Sequence, residues 1–170
     1  PNDTSYSVSV PYETSSISIT AFKQDPNAVS VTGAGTVNLN TGNNVIEIIV
    51  TAEDGTTTKK YTLNIERAKS SDATLKELTV NGGTLSPKLS SNVTKYEVTV
   101  PYEISTFDVI AIANSKDATV VIDDNKNLDV GTNVKTITVT AENGTLKVYE
   151  ITVLRQPSTN NFLSALSVKD

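Results

Sequence analysis

Asp123-Asp124-Asn125-Lys126-Asn127-Leu128-Asp129 is the stretch of this 170-residue chain that places oxygen donors at alternate positions. Such an alternation opens a calcium loop, which in its helix-flanked form needs glycine at the sixth position and a bidentate glutamate at the twelfth. Here those positions hold Leu128 and Val134, so the helix-flanked loop is excluded. What remains is an irregular calcium site on Asp123, Asn125, Asn127 and Asp129, with a plain polar turn as the simpler alternative. The equivalent stretch earlier in the chain, Thr32-Gly33-Ala34-Gly35-Thr36-Val37-Asn38, has no carboxylate. A metal that rigidified both stretches would need ligands in both, so the polar turn is favoured and no cofactor is expected.

Other chemistry is sparsely provisioned. Cys, Met, Trp and His are all absent, which removes disulfides and thiolate or imidazole metal ligation. Glu53 and Glu142 could form a carboxylate pair only if they converged in a cleft. Each follows an alternating run and precedes a turn, where a solvated acid is ordinary. No nucleophile–base arrangement has a suitable context, and the chain is expected not to be an enzyme. Tyr12 and Tyr102 each follow a Pro at the end of a run. As exposed rings they would offer surface glycans a stacking face; as loop residues they would simply pack.

The elements that must position these residues are strands. Period-2 alternation recurs: Tyr6, Val8 and Val10 with Ser5, Ser7 and Ser9; Ile137, Val139 and Ala141 with Thr136, Thr138 and Thr140. Each such run is a half-buried strand, apolar inward and polar outward. Asp54-Gly55 and Asn143-Gly144 lie between pairs of runs, the dipeptides of a two-residue hairpin whose central residues take positive φ. The spacing predicts hairpins of Val45–Glu53 with Thr58–Arg67 and of Val134–Glu142 with Lys147–Arg155. The complete set is seven short strands in sequential antiparallel order: Leu75–Val80, Tyr96–Val100, Phe107–Ala113, Thr119–Ile122, a short one at Leu128, and the hairpin.

Those strands occur twice. Tyr96-Glu97-Val98-Thr99-Val100-Pro101-Tyr102-Glu103 echoes Tyr6-Ser7-Val8-Ser9-Val10-Pro11-Tyr12-Glu13 at an offset of 90, and Leu163, Leu166 and Val168 echo Leu75, Leu78 and Val80 at an offset of 88. A fixed period of that size marks a module copied in tandem. The expected fold class is all-β, two tandem seven-stranded Ig-like β-sandwich modules, the first lacking its own first strand. The first copy covers residues 1–67, a linker 68–72, the complete second copy 73–155, a linker 156–160, and residues 161–170 form the first strand of a third copy.

Leu75-x-x-Leu78-x-Val80, Gly83-x-Leu85-x-Pro87, Tyr96-x-Val98-x-Val100, Gly131-x-Asn133, Ala141-Glu142-Asn143-Gly144 and Tyr149-x-Ile151-x-Val153-x-Arg155 follow one another in order. This set resembles the cadherin-like β-sandwich repeat of bacterial surface and secreted proteins. The resemblance implies an extracellular or cell-surface, non-catalytic module used as a spacer, adhesive or accessory unit, and it carries over no catalytic residues.

By this register both chain ends fall in the loop between a module's first and second strands. The linker after Arg155 reaches at most about 17 Å, whereas strands of this length make a sandwich roughly 25–30 Å long. A tail at residues 161–170 cannot reach its own first copy, so it either hangs free or completes a neighbouring chain, with Leu163, Leu166 and Val168 as the strand-donation interface in the second case. Two readings stay open: a window from a longer tandem array, and head-to-tail polymerisation by strand donation. Expected partners are neighbouring copies of the same chain, head-to-tail, with surface glycans as the alternative. The net charge of −5 and the absence of a basic stripe disfavour nucleic acid. No apolar run is long enough for membrane insertion by a helix.

Overall fold

The computed structural model describes residues 3–123 and 125–168. The chain divides into two compact units, Pro1–Ser70 and Ser71–Asp170, and among the described residues every regular element is a strand.

The first unit contains β1 (Ser5–Val10), β2 (Ser16–Ile19), β3 (Ser30–Thr32), β4 (Gly35–Asn38), β5 (Gly42–Thr51) and β6 (Thr58–Arg67). One sheet runs in the order β1-β6-β5-β3, and β2 pairs with β4 in the other. The second unit contains β7 (Leu75–Val80), β8 (Lys95–Val100), β9 (Val109–Ala113), β10 (Thr119–Ile122), β11 (Gly131–Thr140) and β12 (Leu146–Arg155). Here one sheet is β10-β11-β12-β8 and the facing one is β7-β9.

Alternation sets which residues meet between the layers. On β12, Tyr149, Ile151 and Val153 are buried, and on β8 Tyr96, Val98 and Val100. These join Ile137 and Val139 of β11 and Leu75 and Leu78 of β7 in a single core. Thr and Glu between them take the opposite face because successive side chains of a strand point to opposite sides, while Lys135 of β11 shares the buried face with Ile137 and Val139.

Three expectations are corrected. The order is not sequentially antiparallel: β8 pairs parallel with β12 from Glu150↔Lys95 to Arg155↔Val100, and β1 pairs parallel with β6 in the same way. Consecutive strands β7, β8 and β9 alternate between the two sheets, so β8 reaches β12 by crossing the sandwich. The strand expected at Leu128 is reduced to an isolated bridge, Thr106↔Asn127. The residues before it are turned by their own side chains, with Asp123 Oδ1 and Asn125 Oδ1 accepting from the backbone N–H groups of Asn125 and Asn127 at 2.9 and 3.1 Å. In the first unit, where no such acids occur, the same position forms β4.

The hairpin turns are also wider than two residues. Gly144 N donates to Ala141 O at 2.9 Å and Gly55 N to Ala52 O at 3.0 Å. Only the glycines have positive φ, +89° and +72°; Asn143 and Asp54 do not. Asn143 and Asp54 instead use side-chain Oδ1 to accept the N–H two residues on, from Thr145 and Thr56 at 2.9 Å each. That local bond is the ordinary way in which Asx residues close turns.

Candidate functional site

Among the described residues of the first unit no strand corresponds to β7. Where β7 lies in the second unit, the first unit has an apolar groove of about 560 Å³. Its floor is Ile48 and Val50 of β5 with Tyr61 and Leu63 of β6, Tyr6 of β1 closes one side, and Ile19, Thr20, Ala21 and Phe22 form the rim. The sequence places these residues by the two-residue period of a strand, which puts Ile46, Ile48 and Val50 of β5 on one face with Tyr61, Leu63 and Ile65 of β6, while Val45 and Ile49 take the other face.

The second unit shows how the same residues behave when covered. Tyr96, the equivalent of Tyr6, is 1% exposed, whereas Tyr6 is 40% exposed. Ile137, Val139, Tyr149 and Ile151 are fully buried, while their equivalents Ile48, Val50, Tyr61 and Leu63 are only half-buried. The cover is β7, which pairs antiparallel with β9 through Leu75↔Ala113, Leu78↔Ala111, Thr79↔Ile110 and Val80↔Val109. Leu75 N also donates to the Tyr149 hydroxyl at 3.2 Å.

The tail has the composition of β7 without its surroundings. Leu163, Leu166 and Val168 are 77%, 83% and 89% exposed, against 6% for both Leu75 and Leu78. Residues 161–168 form no strand within the chain. Lys169 and Asp170 lie outside the described residues, as does Asp124 of the oxygen-rich stretch.

Tyr12 and Tyr102 occupy matching places, each gripped by the last residue of its unit's final strand. Arg155 donates Nε and Nη2 to Tyr102 O at 3.0 and 2.7 Å and Nη1 to Leu128 O at 2.7 Å. Its guanidinium lies 4.9 Å from the Tyr102 ring centroid. Arg67 repeats this with Tyr12 O at 2.9 and 2.6 Å, Leu39 O at 2.7 Å and a ring distance of 5.1 Å. Planar five-donor geometry lets arginine hold two carbonyls and stack at once. The sequence offers each Arg as the end of a strand motif and the residue before a linker, two positions past the buried Ile65 or Val153, with no sign of its grip on the Tyr and Leu carbonyls.

Of the four residues of the calcium candidate, Asp123 and Asn125 turn their side-chain oxygens to local use in the two Asx turns. The backbone N–H of Asp129 donates to Asn133 Oδ1 at 2.9 Å, and the buried Lys135 donates its ammonium to the backbone O of Asn125. Among the described residues no three His, Cys, Asp or Glu side chains gather as metal ligands. Glu53 and Glu142 each stand in the hairpin turn of their own unit.

Asp72 fastens the start of the second unit. Its carboxylate accepts from Thr74 Oγ1 and Thr74 N at 2.6 and 2.8 Å and from Asn114 Nδ2 at 2.7 Å. These donors, the Thr74 hydroxyl foremost, hold it below the ordinary carboxylate range. Exposed Asp54 is held at about 2 by Thr57, and burial raises Tyr149. A carboxylate depressed in the folded state stabilises above its unfolded pKa and loses that contribution as pH falls through the folded value. Stability is therefore expected to decline from about pH 4 downward, and Asp72→Asn to flatten that decline, as read by chemical denaturation at acidic and neutral pH. The raised Tyr149 acts in the opposite sense, with loss beginning above about pH 10.

Comparison with known proteins bears on the fold. The family model described as cadherin-like beta sandwich domain matches residues 1–68 and 75–156. Solved structures that resemble the chain include Protocadherin Gamma B7 extracellular cadherin domains 1-4, at 9% identity and TM-score 0.33, covering 99% of this chain and 54% of that one. A protocadherin gammaB7 cis-dimer structure has 15% identity and TM-score 0.35, covering 91% and 47%. Drosophila N-cadherin has 12% identity and TM-score 0.32, covering 90% and 48%. The chain thus spans about half the length of these structures. No curated protein matches it. Two ordered copies of one sandwich, matched over nearly their whole length, place the chain in the cadherin-like β-sandwich domain family.

Proposed function

We propose that this chain is a non-catalytic structural segment of an extracellular or cell-surface bacterial assembly, in which sandwich repeats joined by short polar linkers form a string. The observation that carries this reading is the duplication of parts that hold strands together. Both units have the parallel closure of first-sheet edge on final strand, and both have the arginine clamp at the exit to the following linker. The side chains at matching positions are spent on the backbone, as with Asn44 and Asn133, which accept from Asn40 N and Asp129 N at 2.9 Å each. The family's repeats are non-catalytic modules, and no helix of the described residues is long and apolar enough to cross a membrane.

Pulling a single chain from its two ends tests the role. The second unit is expected to unfold in one discrete step that releases roughly 25 nm, since about 80 residues extend by about 3.5 Å each. A gradual extension without that step would overturn a load-carrying role.

A glycan-binding role is the second reading, favoured by Tyr102, which is 42% exposed in a loop. Saturable binding on a glycan array, lost in Tyr102→Ala while the unit stays folded, would support it. Unchanged array signals with lowered stability would assign Tyr102 to packing alone.

A further inference from the structure

We infer that Asn143-Gly144, at the tip of the β11–β12 hairpin, is a site of spontaneous covalent modification: the Gly144 nitrogen closes on the Asn143 side-chain carbonyl carbon, and water then opens the ring to aspartate or isoaspartate. Water is the one reagent consumed, and the fold confines the reaction to this turn of the second unit.

The step balances without an oxidant or a cofactor. The Gly144 nitrogen, having lost its proton to hydroxide, bonds to Asn143 Cγ. The Cγ–Nδ2 bond breaks and Nδ2 leaves as ammonia, which gives a five-membered succinimide. Water then adds to either ring carbonyl. Addition at Cγ gives aspartate; addition at the backbone carbonyl gives isoaspartate, in which the chain runs through the side-chain methylene. Either way a neutral amide has become a carboxylate.

Two Asn-Gly pairs occur in the chain, Asn81-Gly82 and Asn143-Gly144. In both, glycine leaves the attacking nitrogen uncrowded because it has no Cβ. The fold then separates them. Asn81 is tied down on every side: its N–H donates to Asp108 O at 3.2 Å, its Oδ1 accepts from Asp108 N at 2.8 Å, and its Nδ2 donates to Thr106 O at 3.1 Å. A Cβ at Gly82 would stand 3.0 Å from Ile104 Cγ1, so the backbone after Asn81 lies against a side chain. Asn143 and Gly144 are exposed. The Asn143 Oδ1 accepts from Thr145 N at 2.9 Å, which draws the side-chain carbonyl back over the amides that follow it. Among the described residues its Nδ2 has no protein partner, so the leaving group faces water. Nothing lies within 4 Å of a Cβ built on Gly144, which leaves the turn room to rotate. The restraint is the Gly144 N–H on Ala141 O at 2.9 Å, and an exposed turn bond of this kind opens at little cost. The matching turn of the first unit begins with Asp54, whose carboxylate accepts from Thr56 N, Thr57 N and Thr57 Oγ1 at 2.9, 2.8 and 2.5 Å. An ionised carboxylate is a poor electrophile, so that turn keeps its composition while its counterpart changes.

The intact chain, kept folded at mildly alkaline pH in water enriched in heavy oxygen and sampled over several weeks, provides the test. Peptide mapping by mass spectrometry reads amide-to-acid conversion with label uptake at each Asn-Gly pair, and enzymatic methylation counts the isoaspartate. Asn143 is expected to convert about tenfold faster than Asn81, or more, since intramolecular attack depends steeply on the placement of the reacting atoms. In denaturant the two pairs should convert at comparable rates, because both then sit in free chain. Equal conversion of the two pairs in the folded protein, faster conversion of Asn81, or an Asn143 that takes up no label would overturn the inference. So would a preference for Asn143 that persists undiminished in denaturant, since it would then lie in the neighbouring residues and not in the fold.

Discussion

Tyr149→Ala is expected to destabilise the second unit by about 4 kcal/mol, in the range for deleting a buried aromatic side chain. Tyr149 is fully buried among both sheets, and its hydroxyl accepts from Leu75 N at 3.2 Å, so the change opens a cavity and orphans a buried N–H. A loss of that size is a large part of a domain's total stability. The equivalent change Tyr61→Ala, in dilute solution, should cost about 1 to 2 kcal/mol, since its ring lines an open groove and much of its surface already meets water. Hydrogen exchange followed by mass spectrometry resolves the two units separately. Equal losses at the two tyrosines would mean that the first unit is as closed as the second, and would remove the groove from consideration.

Arg155→Ala should cost the second unit about 2 to 3 kcal/mol, a shift of roughly 10–20 °C for a unit of this size. Three charge-assisted hydrogen bonds to two carbonyls disappear, together with the stacking on Tyr102. Partial exposure of the site keeps the figure below the sum of the separate contacts. Arg155→Lys should recover less than half of the loss, because a single ammonium cannot fork between Tyr102 O and Leu128 O while covering a ring. A lysine variant as stable as the parent would show that charge alone matters there. The same pair of substitutions at Arg67 tests whether the first unit relies on the clamp equally.

The sequence made the strands legible because alternation is a local property. Tyr149, Ile151 and Val153 announce a buried face whatever lies opposite. The same local rule is silent about direction, so the parallel pairing of β8 with β12 was missed: Val98 faces inward equally well beside a parallel or an antiparallel neighbour. The hairpin turns were placed correctly and shaped wrongly, because Asn143-Gly144 suits two turns, and the choice rests on whether the asparagine side chain bonds Thr145 N. The equivalence of Tyr6 and Tyr96 is legible from their offset of 90. Which residues line the groove beside Tyr6 requires β5 and β6 to be seen side by side. Leu128 failed as a strand for a physical reason close by: Asp123 and Asn125 bend the preceding backbone with their own oxygens.

Arg67 and Arg155 are also the last residues of the final strands, just before the segments 68–72 and 156–160. In the proposed load-carrying role, tension arriving along the last strand reaches a guanidinium that shares it with the loops at Tyr12 and Leu39 or at Tyr102 and Leu128. That proposal casts the arginine as strain relief on a cable at its plug.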